Sequence, residues 1–346
     1  VSYRGMETTK AVQYVLVAFQ LIVLVWFSIA ALLQVADGTA FDALAFSADW
    51  FNPFLVPSFS AFAAGVSLSI FIFWGWDVTL TMNEETKNPK TTPGRAATLT
   101  VGVIFALYIL VGVATLMFSG IGAGEFGLGN AEIQGNVFAA LAGPVMGPFA
   151  ILMSLAVLSS SAASLQSTFV GPARTMLSMG HYKAFPTRFA SISPRYKSPA
   201  FATVMAGAVA WGFYAIMRVL STDVLTDTIL TLGMMICFYY GVTAFASVWY
   251  FRDALHGPRA ILLKFLAPLA GGIILLVIFA TTLYDSMSPE YGSGSNIGGV
   301  GLVFILAMVL FIGGIVLMLI QRRVNPAFFE GKTLTKGSAK EHGYVE

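Results

Sequence analysis

Eight apolar stretches, each long enough to cross a bilayer, constrain this chain more than anything else in it. With soft edges they run over 11–35, 59–82, 97–120, 148–172, 200–220, 228–250, 265–284 and 298–320. A helix crossing the hydrocarbon needs about 20 predominantly apolar residues. Barrel strands would instead show alternating segments of about ten residues. Uninterrupted runs therefore predict helices, whose backbone polar groups pair within the segment. Composition agrees: 57% of the 346 residues are hydrophobic and 10% are charged, against about 25% charged in a soluble domain. The apolar content excludes disorder, and the single Cys237 excludes a disulfide scaffold. An all-α integral membrane protein with the lipid bilayer as its surroundings is expected.

Charge sets the orientation. Arg4, Lys10, Lys87, Lys90, Arg95, Arg174, Lys183, Arg188, Arg195, Lys197, Arg252, Arg259, Lys264, Arg322, Arg323, Lys332, Lys336 and Lys340 all fall on one side of the eight-span alternation. They are 18 of the 19 basic residues, and only Arg218 lies near the other side. The opposite loops carry Asp37, Asp42, Asp49, Glu125, Glu132, Asp223, Asp227, Asp285 and Glu290. By the positive-inside rule the basic side is cytoplasmic, so both termini are expected there and the protein in the cytoplasmic (plasma) membrane. The net charge of +2 reflects this bias and gives no reason to invoke nucleic acid.

The polar residues inside the spans carry the functional information. Asp77 is the only acid expected within a span, where centring it costs about 2.5–3.5 kcal/mol and calls for a partner or a wet cavity. It follows Trp74-Gly75-Trp76, and Gly75 allows the helix to break there. A break at mid-depth frees backbone groups that transporters use to hold substrate and ions. The plainer alternative is a buried Asp bonded to a neighbouring helix, with Gly75 as a packing notch. In the fourth span Ser159, Ser160, Ser161, Ser164, Gln166, Ser167 and Thr168 cluster, and Ser160, Ser164 and Ser167 share a helical face. Such hydroxyls serve close packing or line a polar path. The sixth span holds Tyr239 and Tyr240, whose hydroxyls need partners at depth, and the first holds Gln13 and Gln20.

Other signals are weak. Gly122, Gly124 and Gly127 fit G-x-G-x-x-G but follow a membrane helix in a loop, without the strand that motif requires. His181, His256 and His342 show no metal-ligand spacing, and no G-x-S-x-G or Walker motif occurs. No metal, cofactor or enzymatic activity is expected.

The run from Phe73 to Ala97, with its aromatic-Gly-Trp-Asp turn, Glu84-Glu85, Asn88-Pro89, Pro93 and Arg95, resembles the amino acid–polyamine–organocation permeases. A second match runs from Ser159 through Arg174, Met179 and Pro186 to Pro194-Arg195-Tyr196 and Pro199, and Arg4-Gly5 with Gln13 is similar to the entry of the family's fifth helix. The resemblance implies a five-plus-five inverted-repeat bundle with two appended helices, like that of the leucine transporters. It places the eight spans on family helices five to twelve. Residues 1–58 would be the last helix of the first repeat and an outer loop, and 59–250 the second repeat, its first helix broken near 73–77. Residues 251–322 would be the appended pair and 323–346 a cytoplasmic tail. Helices one to four would then be missing partners of the same fold, and Val1 in place of Met fits a fragment.

The implied activity is secondary active transport of an amino acid or related amine by alternating access. The alternative is a truncated, transport-incompetent homologue acting as a structural or assembly module. Carried over by position, Phe73, Trp74, Gly75, Trp76 and Asp77 would contact the substrate, with Tyr239 and Tyr240 facing the same cavity. Ser160, Ser161 and Ser164 would lie near a cation or proton site. Gln20 stands where some members carry a titratable Lys or Glu, so coupling through that position departs from theirs. H+ coupling, Na+ coupling and exchange stay open.

Overall fold

A computed structural model describes residues 6–81, 86–221 and 223–333. Val1, Arg4, Gly5, Glu84, Glu85, Lys336, Lys340 and His342 lie outside the described residues. In chain order the helices are α1 Met6–Ala36, α2 Phe59–Phe73, α3 Val78–Thr81, α4 Thr92–Ser119, α5 Ala131–Gln134 and α6 Val137–Met146. They continue with α7 Ala150–His181, α8 Ala200–Leu220, α9 Val224–Phe251, α10 Pro258–Ile261, α11 Ala267–Asp285 and α12 Leu302–Val324. Two-residue strands β1 Asn296–Ile297 and β2 Val300–Gly301 pair antiparallel before α12.

Among the described residues, seven helical spans are long and apolar enough to cross a membrane: Lys10–Ala36, Thr92–Ser119, Val137–His181, Ala200–Leu220, Val224–Ala254, Pro258–Asp285 and Leu302–Val324. The expected stretch 59–82 differs from these. Its first helix, α2, is apolar but only 15 residues long, and a turn separates it from α3. The Val137–His181 span is longer than expected because α6 precedes α7. Asn136 caps α6 by accepting from Ala139 N at 3.2 Å, and Gly147, at φ 53°, closes it. The Pro258–Asp285 span includes a π-helical turn, Leu262–Leu266.

The chain divides into two compact units. The first holds the residues up to Trp50, Gly75–Gly207 and the tail from Ala327. Its core is built by α1, α4, α6 and α7: Val23, Phe27 and Ala31 pack with Ala114, Phe118, Leu141, Val145 and Met153. The Phe27 ring meets Phe138 edge-on at 5.6 Å. Three polar side chains stitch the helices by bonding to carbonyls of a neighbour. Gln13 Nε2 donates to Ala163 O at 2.7 Å, Gln34 Nε2 to Val145 O at 2.8 Å, and Ser159 Oγ to Leu16 O at 3.1 Å. Apolar side chains gain little by leaving lipid, so such bonds and close packing hold membrane helices together.

The second unit holds Phe51–Trp74 and Ala208–Pro326. Here α9 is central, packed on α2, α11 and α12. Glycines permit the approach: a Cβ at Gly233 would lie 2.6 Å from Ser67 O on α2, and one at Gly241 would lie 2.8 Å from Leu276 Cδ2 on α11. Ala63, Cys237 and Ile278 form one apolar cluster, and Met234, Val303 and Ala307 another.

One charged residue overturns its expected place. Asp223 caps α9 by accepting from Leu225 N and Thr226 N, so the helix starts at Val224 and Asp227 falls in its first turn. Asp227, expected in a solvated loop, is fully buried. It accepts from Ser221 Oγ at 2.6 Å, Ser293 N at 2.9 Å and Ser293 Oγ at 2.7 Å, tying the α11–α12 loop to α9.

Candidate functional site

The break in the second apolar stretch is a local property of its residues. Ser58 caps α2 by accepting from Ala61 N, and the helix runs to Phe73. Trp74 is extended at φ −68°, ψ 151°, and Gly75 sits at φ 110°, where only glycine is comfortable. From there the chain turns on short-range bonds: Trp74 N to Phe71 O, Val78 N to Gly75 O and Thr79 N to Trp76 O. Helical bonding resumes with Thr81 N to Asp77 O. Asp77 and Trp76 are half-buried in this turn. In the first unit the short α3 rests on α7 at Gly171, where a Cβ would lie 3.4 Å from Val78 Cγ2.

In the second unit, the residue that caps the C-terminus of α2 meets the middle of α9. Trp74 Nε1 donates to the Tyr239 hydroxyl at 2.7 Å, and the Tyr239 and Tyr240 rings lie 4.4 Å apart, edge to face. Trp74, Tyr239 and Tyr240 therefore form one aromatic group with polar tips. Phe73, half-buried, is the last residue of α2.

In the first unit, Gln20, Ser160, Ser161 and Ser164 line one cavity of about 610 Å3. Buried Ser159, Ala163 and Gln166 turn to the other face of α7. Ser161 Oγ bonds back to Val157 O at 3.0 Å, the usual resting state of a helical serine. Gln20 Oε1 is buried and accepts no hydrogen bond among the described residues. An amide oxygen in that state costs about 1–3 kcal/mol and is suited to a cation or a hydrogen-bond donor. Thr168 adds a further hydroxyl to the wall, and Phe138, Met153 and Leu24 make the rest of it apolar. Phe138 and Met153 escaped the sequence reading. Phe138 stands on α6, ahead of the span expected from 148.

The model of the amino acid permease family matches residues 1–305. Three curated relatives, uncharacterized transporters from Mycobacterium bovis and from two strains of Mycobacterium tuberculosis, are each 30% identical over 147 residues. That match covers 42% of this chain and 32% of each relative, so the matched part spans about a third of their length. With seven apolar spans among the described residues and a family match over most of its length, this chain is an integral membrane protein that belongs to the amino acid permease family of the amino acid–polyamine–organocation superfamily.

Proposed function

We propose that the protein moves an amino acid or a related amine across the cytoplasmic membrane as a secondary transporter working by alternating access. The observation that carries this reading is the interruption of α2 at Trp74-Gly75, with Gly75 at φ 110°. A membrane helix keeps its backbone bonded unless protein or a wet cavity replaces the lost bonds. Discontinuous helices that present backbone groups to small polar solutes are a recurring transporter device.

In this reading Phe73, Trp74, Gly75, Trp76 and Asp77 contact the substrate through backbone groups, rings and the carboxylate. Asp77 orients the substrate ammonium. Tyr239 and Tyr240 supply aromatic wall, held through the Trp74 bond. Gln20, Ser160, Ser161 and Ser164 serve the coupling ion or proton: the Gln20 oxygen, which accepts no hydrogen bond among the described residues, and the serine face offer neutral oxygen ligands in one cavity. Gln20 does not titrate, which favours a cation or a relayed proton there over protonation of the residue itself. The proposed architecture is eight spans, α2–α3 counting as the broken one, with 59–250 as an inverted repeat, 251–322 as an appended pair and both termini in the cytoplasm.

The test is uptake by the whole protein in proteoliposomes, with proton and sodium gradients imposed in turn. Saturable uptake of one amino acid class, lost in Asp77→Asn, is expected. Uptake by the native protein that Asp77→Asn leaves unchanged across substrates and pH would remove Asp77 from the site. No uptake of any amino acid or amine would favour a structural or assembly module.

A further inference from the structure

Within the second unit, a cavity of about 440 Å3 opens where α8 ends and α9 begins. This is within the range of small-molecule sites. Phe213, Tyr214, Arg218, Asp223, Leu225 and Thr228 line it. No role proposed above uses these residues.

Three polar groups there are available to a ligand. Arg218 is exposed, and its guanidinium has no hydrogen-bond or ion-pair partner among the described residues. Asp223 Oδ1 accepts from Leu225 N at 3.1 Å and Thr226 N at 3.2 Å, and Oδ2 accepts from Thr226 Oγ1 at 2.5 Å. The Thr226 bonds, above all, hold its carboxyl below the usual carboxylate range, so it stays charged at neutral pH. Thr228 breaks a habit of this chain. Thr115, Thr231 and Thr282 each return a hydroxyl bond to the carbonyl four residues back, at 2.7–2.8 Å. Thr228 Oγ1 is buried and makes no such bond among the described residues.

The surroundings are apolar and exposed. Trp211, Tyr214 and Arg218 fall at i, i+3 and i+7, on one face of α8. Trp211 is 75% exposed and Tyr214 57%. Val219 and Leu225 continue the exposed apolar surface beside them. Trp211 sits near the middle of α8, and Tyr214 and Arg218 follow in its last two turns, the depth at which Tyr concentrates and Arg extends its head toward the polar layer. A purely anionic ligand would meet the Asp223 carboxylate, and a purely cationic one would meet Arg218. A ligand with both charges and an apolar tail satisfies the cavity and the surface next to it.

We propose that this cavity holds the head group of a zwitterionic aminophospholipid, with phosphate on Arg218, ammonium on Asp223, a lipid oxygen accepting from Thr228 Oγ1, and acyl chains along the exposed face of α8. Phosphatidylethanolamine has these groups. Phosphatidylcholine has a cation that cannot donate to Asp223, and phosphatidylglycerol lacks the cation.

The test is binding of these three lipids, with matched dioleoyl chains, to the whole purified protein, read by native mass spectrometry and by thermal stabilisation. Phosphatidylethanolamine is expected to bind tightest. Arg218→Gln should weaken it roughly tenfold, the loss expected for one charge-assisted bond. Asp223→Asn keeps the helix cap, because Asn caps as well as Asp, and should erase the preference over phosphatidylcholine. If Arg218→Gln does not fold, the Asp223→Asn comparison decides alone. Equal binding of the three lipids, or a preference that Asp223→Asn leaves intact, would overturn the proposal. So would equal competition by free phosphoethanolamine or inorganic phosphate, which would make this a site for a soluble ion.

Discussion

Trp74 Nε1 donates a 2.7 Å hydrogen bond to the hydroxyl of Tyr239, so the residue that caps α2 is tied to the middle of α9. The bond sets the indole ring and orients the phenol, and the Tyr240 ring meets that phenol edge to face at 4.4 Å. A single neutral bond of this kind is worth about 0.5–1.5 kcal/mol net, or roughly a two- to tenfold change in an equilibrium constant. Tyr239→Phe and Trp74→Phe should each raise KM for uptake by that amount. Because they remove the same bond, the double variant should exceed either single one by much less than their product. Fully multiplicative losses would mean that the bond does not couple them.

Two glycines make opposite demands. At Gly75 nothing lies within 4 Å of an added Cβ, so Gly75→Ala meets only the backbone strain of φ 110°. That strain is about 1–3 kcal/mol and falls on the turn itself. At Gly233 the backbone is unremarkable, but a Cβ would lie 2.6 Å from Ser67 O and 3.1 Å from Ser67 Oγ. Gly233→Ala therefore forces α2 and α9 apart, at about 1–3 kcal/mol. With uptake and thermal unfolding measured together, Gly75→Ala should lose uptake out of proportion to the fraction unfolded. Gly233→Ala should lose it only as the folded fraction falls.

These two glycines also mark what one sequence reveals. Gly75 announces itself, because a glycine between two tryptophans and beside an acid is out of place in an apolar run. Gly233 does not, because its constraint comes from a carbonyl on another helix. Long helices are legible for the same reason as Gly75: hydropathy is a local property. The helix α6 is not, since VFAALAGPVM is only ten residues long and carries Gly143 and Pro144. The shared face of Ser160 and Ser164 follows from helical spacing. Their cavity with Gln20 does not, because only the packing of α1 on α7 brings those helices together. Asp227 is the clearest loss. In STDVLTDT it looks like a loop acid, and its bonds to Ser293, 66 residues away, are invisible there.

Asp227 should be the costliest polar side chain to remove in the second unit. Its carboxylate takes three bonds, from Ser221 Oγ, Ser293 N and Ser293 Oγ, in a fully buried setting. Asp227→Ala leaves those donors facing a void, a loss of about 2–5 kcal/mol. Asp227→Asn keeps one acceptor oxygen and should lose less. The expected signs are a lower melting temperature and faster proteolytic cutting in the 286–301 loop, ordered Ala, then Asn, then native. Rapid cutting with an unchanged melting temperature would confine the role of Asp227 to the loop.

The same loop carries a predictable alkaline weakness. Burial pushes the Tyr291 phenol from 10.0 up to about 12, with the charge of Asp285 adding to the shift. Asp285 is itself held by the Ser60 hydroxyl at the start of α2. A phenol with a raised folded pKa is neutral in both states below pH 10, so its contribution is fully present there. Between pH 10 and about 12 the unfolded form ionises first, and stability falls as pH rises through that window. The Tyr291 hydroxyl has no hydrogen-bond partner among the described residues, so Tyr291→Phe should cost little at neutral pH. It should flatten the fall in melting temperature above pH 10, and tyrosinate absorbance should lose its latest-titrating component. An unchanged alkaline slope in Tyr291→Phe would show that another group sets the limit.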